Sequence, residues 1–113
     1  MRDLAPEIHR QRLVIEGVPR TAIDDSGIRD YLAKMSETLQ MSVLQDPVTN
    51  LSSQYGWAGW VHWENSGAHF YAWERPRLFF SVDIYTCKHF SVADALAMTA
   101  DFFGVSELEH KEF

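Results

Sequence analysis

The sequence predicts an α/β fold: a two-layer sandwich in which a mainly antiparallel sheet carries two helices on one face. Three observations lead there. The 113 residues suffice for one domain with one real core. Strand-like runs at 57–64, 68–73 and 78–86 follow in succession, the first two close enough to form a hairpin. Apolar residues recur at helical spacing in one segment before these strands and one after them. Antiparallel strands with their helices gathered on one side make two layers.

Residues 1–8 read as a loose terminus. Arg12–Glu16 (RLVIE) is a short strand that stops at Gly17, and Val18-Pro19 opens a loop. Asp24, Asp25 or Ser26 is placed to cap a helix by accepting from its free N–H groups. Ile28, Leu32, Met35 and Leu39 then form that helix's apolar face. Val43–Gln45 reads as a second strand, broken by the turn signal Asp46-Pro47. The longer strands are Trp57–Glu64, Ala68–Trp73 and Leu78–Thr86. Asn65-Ser66-Gly67 joins the first two, with Gly67 expected to take the positive φ of a tight hairpin. Ser91 caps a second helix, which carries Val92, Leu96, Met98, Phe102 and Phe103 and ends at Gly104. A short last strand is expected near Val105–Leu108. With no repeat, low-complexity tract or linker, residues 1–113 read as a single domain.

Composition narrows the function classes. Apolar residues at 46% and charged ones at 23% describe an ordinary globular chain. Ten basic residues against sixteen acidic give a net charge of −6, and no Lys/Arg cluster exists beyond Arg75–Arg77. That argues against a nucleic-acid partner. No run approaches the roughly 20 apolar residues of a membrane span, and MRDLAPEIHR lacks the apolar stretch of a signal peptide. The single cysteine, Cys87, rules out an internal disulfide and suits a reducing compartment, so a cytoplasmic location is expected.

Alternation along the strands points to the chemistry. Trp57, Val61 and Trp63 point one way, and Trp60, His62 and Glu64 the other. Phe80, Val82 and Ile84 likewise oppose Ser81, Asp83, Tyr85 and Cys87. One face is apolar enough to pack on the helices. The other mixes aromatic with ionisable groups, suiting neither bulk water nor a dry core, so a pocket or a partner sheet should cover it. A homodimer or higher homo-oligomer is expected.

The run GWAGWVHWENSGAHFYAWE followed by SVDIYTC resembles the bacterial-type S-adenosylmethionine decarboxylases, small pyruvoyl enzymes of polyamine synthesis. Their pattern runs Gly-Val-Ser-Gly, an apolar strand, Glu-Ser-His, then His-Thr-Trp-Pro-Glu and Asp-x-Phe-Thr-Cys-Gly. Gly56 and Gly59 take the two glycines, Ser66 the serine that becomes pyruvoyl, and Trp73 the tryptophan. After one inserted residue, Asp83, Thr86 and Cys87 fall on the last element. The resemblance implies an acid role for Cys87 and covers most of the chain. Departures fall on the chemistry. The serine of Gly-Val-Ser-Gly is Ala58, the glutamate before the cleavage serine is Asn65, and the histidine after it is Gly67. The histidine used in self-processing is Tyr71.

Those departures have a physical meaning. A pyruvoyl group arises when a serine hydroxyl attacks the preceding carbonyl and the resulting ester loses its α-proton by elimination. This needs a base near the serine and donors for the oxyanion. Tyrosine, with a pKa near 10, is a poor base at neutral pH. The expected cofactor is therefore none, with a pyruvoyl at Ser66 only if self-processing occurs.

Each residue also has a plainer reading. Ser66 in Asn-Ser-Gly suits any hairpin turn, and Cys87 is equally a buried free cysteine. His62-x-Glu64 and Cys87-x-His89 match no established metal-ligand spacing, so no metal is expected. His69 and Tyr71 share one strand face and form a candidate acid–base pair. Trp60, Phe70 or Trp73 is placed to stack on a purine or sit over a sulfonium cation. Glu64, Glu74 or Asp83 would meet a ribose hydroxyl or an ammonium group, and His62 is a further candidate for substrate binding.

Three functions follow. The first is a cofactor-free lyase or cyclase acting on S-adenosylmethionine or a related amine or amino acid through side chains such as Cys87, His69 and Tyr71. The second is a pyruvoyl decarboxylase maturing at Ser66. The third is a non-catalytic ligand-binding or regulatory relative.

Overall fold

The computed structural model describes residues 1–113. In chain order the elements are β1 (Gln11–Val18), α1 (Asp25–Thr38), β2 (Val43–Ser52), β3 (Gly56–Trp63), β4 (Ser66–Trp73), β5 (Phe79–Thr86), α2 (Val92–Phe103) and β6 (Glu107–Glu112). The strands form one six-stranded sheet, ordered β2-β3-β4-β5-β1-β6, and every neighbouring pair is antiparallel. Both helices lie on one face, as the sequence predicts. The crossover through α1 carries the chain from β1 to the far edge at β2, and the one through α2 returns it from β5 to β6.

Local chemistry explains the helix ends. The Asp24 side chain accepts from the Gly27 N–H at 2.8 Å, and Ser91 Oγ accepts from the Asp94 N–H at 3.1 Å. Gly104 ends α2 in the left-handed conformation, φ 58°, where a side chain would be strained.

The core lies between this helical layer and the sheet. Ile28, Tyr31, Leu32 and Met35 of α1 pack on inward residues of β1, β3, β4 and β5, all essentially without solvent contact. Two polar links cross it. Trp63 Nε1 donates to Ser36 Oγ at 2.8 Å, and Ser36 donates onward to the Leu32 carbonyl at 2.7 Å. Thr99 Oγ1 donates to the Ala95 carbonyl, so the Tyr31 hydroxyl, 2.8 Å away, is the donor to Thr99. Burial pushes the Tyr31 pKa up, against the smaller opposing effect of Thr99, so the phenol stays neutral. No buried side-chain nitrogen or oxygen lacks a partner.

Four local expectations need correction. β2 continues through Asp46-Pro47, with register shifts between Val43 and Val48. It is an edge strand, where a proline need not donate and a bulge absorbs the irregularity. The hairpin between β3 and β4 turns on Glu64 and Asn65, with Trp63 paired to Ser66. Asn65, at φ 48°, takes the left-handed conformation expected of Gly67. The last strand lies later than Val105–Leu108, at Glu107–Glu112. Phe70, expected to stack on a ligand, is 0% exposed. Even-numbered positions of β4 face the helices, and the Phe70 ring is stacked on Phe80 at 5.4 Å and packed on Tyr31 and Phe103.

Phe70 is thus a packing residue. Phe70→Ala should lower unfolding stability by about 3–5 kcal/mol, read as a shift of the urea midpoint. A loss under about 1 kcal/mol would contradict its placement in the core.

Candidate functional site

The register of the sheet assembles the site on the face away from the helices. Trp60, His69 and Asp83 stand opposite one another on β3, β4 and β5. One step along, Ala58 faces Tyr71, which faces Ser81. One step the other way, His62, Gly67, Tyr85 and Arg12 run from β3 across to β1. Gly67 brings no side chain to this row, so a hollow opens between His62 and Tyr85. The resulting concavity, of about 550 Å³, includes Arg12, His62, Ser66, His69, Tyr71, Asp83 and Tyr85 in its walls.

On the same face, Trp60 stands outside the walls of the concavity: its ring lies nearly parallel to that of His69 with centroids 6.2 Å apart, and His62 meets it edge-on at 6.0 Å. The Tyr71 hydroxyl is 3.4 Å from His69 Nδ1. Arg12 grips Asp83 with two parallel bonds, Nε to Oδ1 at 3.0 Å and Nη2 to Oδ2 at 2.9 Å. The Asp83 hydrogen bonds and charge hold the Arg12 pKa above its ordinary value. Trp73 faces the same way but stands at the far end, stacked on Phe79 at 5.6 Å and packed on Tyr55.

Ser66 and Cys87 form a separate cluster at the hairpin end. Ser66 begins β4 and is 9% exposed. Its hydroxyl accepts from the Cys87 N–H at 3.0 Å and donates towards Cys87 Sγ at 3.5 Å. The thiol in turn lies 3.6 Å from the Glu64 carbonyl. The chain turns after Thr86, whose hydroxyl donates to the Lys88 carbonyl at 2.8 Å. Cys87 therefore leaves the row of Asp83 and Tyr85 that it was expected to share. It is exposed, and lines a smaller cleft of about 260 Å³ with Glu64, Ser66 and Lys88. Glu64, placed by the hairpin turn, joins this cleft rather than Trp60 and His62. Ser66 lines both hollows.

Tyr71 and Ala58, at the positions that the resemblance links to processing, do not reach Ser66 within one chain. Tyr71 is five positions beyond Ser66 on a strand paired without a break, about 17 Å away at the usual rise. The only titratable side chain hydrogen-bonded to the Ser66 hydroxyl is Cys87. This set does not fit a pyruvoyl group formed by one chain alone: no side-chain base lies within hydrogen-bond reach of the Ser66 hydroxyl. No group of three His, Cys, Asp or Glu side chains converges as a metal site.

The S-adenosylmethionine decarboxylase family model matches residues 14–113. The chain belongs to this family. Among solved structures, this family member is similar to the adenosylmethionine decarboxylase from Aquifex aeolicus VF5, with a TM-score of 0.74 over 94% of this chain and 89% of that one. At 14% identity the likeness is one of fold. No curated protein matches the chain.

Arg12 is the site residue that sequence reasoning passed over. Its alternation with Leu13 and Ile15 put it on the open face, but its partner, Asp83, depends on β1 lying beside β5. That adjacency is a matter of topology, set by the two helical crossovers.

Ser66→Ala removes the acceptor for the Cys87 N–H and should cost about 1 kcal/mol in urea unfolding. In the native wild-type protein, iodoacetamide should alkylate Cys87 without denaturant. A thiol that reacts only after unfolding would contradict its exposed position.

Proposed function

We propose that this chain is an unprocessed member of its family that binds S-adenosylmethionine or a related amine on the open sheet face and acts on it without a pyruvoyl group. The observation that carries the reading is the engagement of Ser66 with Cys87, with no base beside it. A serine that is to attack its preceding carbonyl needs its proton removed, and nothing in hydrogen-bond reach is suited to do so. The open face is separately furnished for a small ligand: an acid–base pair at His69 and Tyr71 and the Arg12–Asp83 pair in the concavity, with the Trp60 ring beside it. Lyase or cyclisation chemistry would draw on His69 and Tyr71 in the concavity and on the Cys87 thiol in the smaller cleft, the two hollows meeting at Ser66.

The active form is a homodimer. Tyr71 is 42% and Tyr85 46% exposed on a face that also carries half-buried Trp60, Trp73 and Phe79. Antiparallel sheets show one face to water when that face is polar. This one is aromatic, and a second copy stacked on it would close the concavity from above.

Intact mass of freshly purified protein tests the reading. The expected result is one species near 13.0 kDa that a reductive amine trap leaves unchanged. The uncleaved protein should then bind S-adenosylmethionine and turn it over, with turnover lost in Cys87→Ala. Two fragments that divide between Asn65 and Ser66, the second with a trappable carbonyl, would overturn the proposal in favour of a decarboxylase. Sedimentation should give twice the chain mass; a monomer at micromolar concentration would remove the dimer.

A further inference from the structure

The Arg12–Asp83 pair is not explained by the stability of the fold. Its side chains are 43% and 37% exposed, and pairs so open to solvent add little to stability. Its position is more telling. Arg12 is the one Lys or Arg in the wall of the concavity, in a chain whose net charge is −6. Asp83 stands beside it, directly across from His69.

The pair is also incompletely satisfied. Arg12 spends Nε and Nη2 on Asp83 and lays its guanidinium over the Phe113 ring at 4.4 Å. Nη1 makes no hydrogen bond within the chain. Each Asp83 oxygen accepts one bond from Arg12 and retains further acceptor capacity. A fixed cation and a fixed anion thus lie side by side with unused donors and acceptors.

We propose that Arg12 and Asp83 together receive the α-amino-acid end of the ligand, Arg12 taking its carboxylate and Asp83 its ammonium group. A zwitterion laid against the pair completes an alternating square of charges, so neither ligand charge is desolvated without a partner. A lone cation would meet Arg12 as a repelling neighbour, and a lone anion would meet Asp83. The arrangement selects for both charges at once. The planar fork of Arg12, already held by Asp83 and Phe113, loses little freedom on binding a carboxylate.

This inference rests on the open face being the ligand site, and the test separates the two. Calorimetric titrations of the whole protein would use four probes: S-adenosylmethionine, its decarboxylated analogue, 5′-methylthioadenosine and L-methionine. Wild type should bind S-adenosylmethionine at least roughly ten-fold tighter than either of the two adenosyl compounds that lack the carboxylate. Arg12→Gln and Asp83→Asn should each abolish that preference and leave 5′-methylthioadenosine binding unchanged. The exchanged double variant Arg12→Asp/Asp83→Arg keeps an ion pair with its charges reversed; it should unfold near the wild-type midpoint, as the single variants do, without restoring the preference. Preference that persists in Arg12→Gln, or equal affinity of wild type for all three adenosyl compounds, would overturn the inference and leave the proposed function standing. Binding of L-methionine with no adenosyl compound bound would uphold the inference and overturn the adenosyl ligand. Binding of none of the four would overturn both.

Discussion

A strand offers its side chains to two faces in strict alternation, and a helical layer covers only one of them. Much of the molecule follows from this constraint. On β4 it sends Ala68, Phe70 and Ala72 under the helices and leaves His69 and Tyr71 outside. On β5 it buries Phe80, Val82 and Ile84 and presents Ser81, Asp83 and Tyr85. Slipping either strand by one residue would put His69 or Asp83 into the apolar core and Phe70 or Val82 into water. The packing that stabilises the fold thereby also fixes the register of the chemistry, and it does so without any functional side chain having to hold itself in place.

The open face is organised by distance as well as by side. Its centre carries imidazole, phenol, guanidinium and carboxylate groups within neighbouring rows, while its hairpin end carries the hydroxyl and the thiol. Ser66 and Cys87 are joined by a backbone N–H bond that ties the start of β4 to the segment after β5. In the family pattern those two positions carry the chemistry. Here they hydrogen-bond to each other, and within the chain Ala58 and Tyr71 lie well away from them on β3 and β4. On the proposed reading it is the central groups that handle the ligand.

How much of this was legible in the sequence depended on whether the signal was local. Both helices, the caps at Ser91 and Gly104, and Asp24 as one of three candidate caps were readable because capping and periodicity act within a few residues. So was the split between the faces of β3 and β5. The path of β2 through Pro47 was not, because a proline breaks a strand or sits on its edge according to a topology that lies elsewhere in the chain. The positive φ of the hairpin falls two positions before the expected Gly67, because glycine is its commoner carrier yet Asn65 takes it. Phe70 shows a different limit. Its aromatic character suggested stacking, but parity with Ala68 and Ala72 had already assigned it to the core. Cys87 left the row of Tyr85 because the strand ends at Thr86, and parity holds only while the strand lasts. The Arg12–Asp83 pair needed the order of strands in the sheet, which no local pattern specifies.

The central claim is that the open sheet face, and not the helical layer or the sheet edges, is where this protein meets its ligand. Backbone and side-chain NMR shifts during titration with S-adenosylmethionine test it most directly. The account predicts changes concentrated at His62, His69, Tyr71, Asp83 and Tyr85, with α1 and α2 nearly unmoved. Changes centred on the helices or along β2, with those five residues silent, would contradict it.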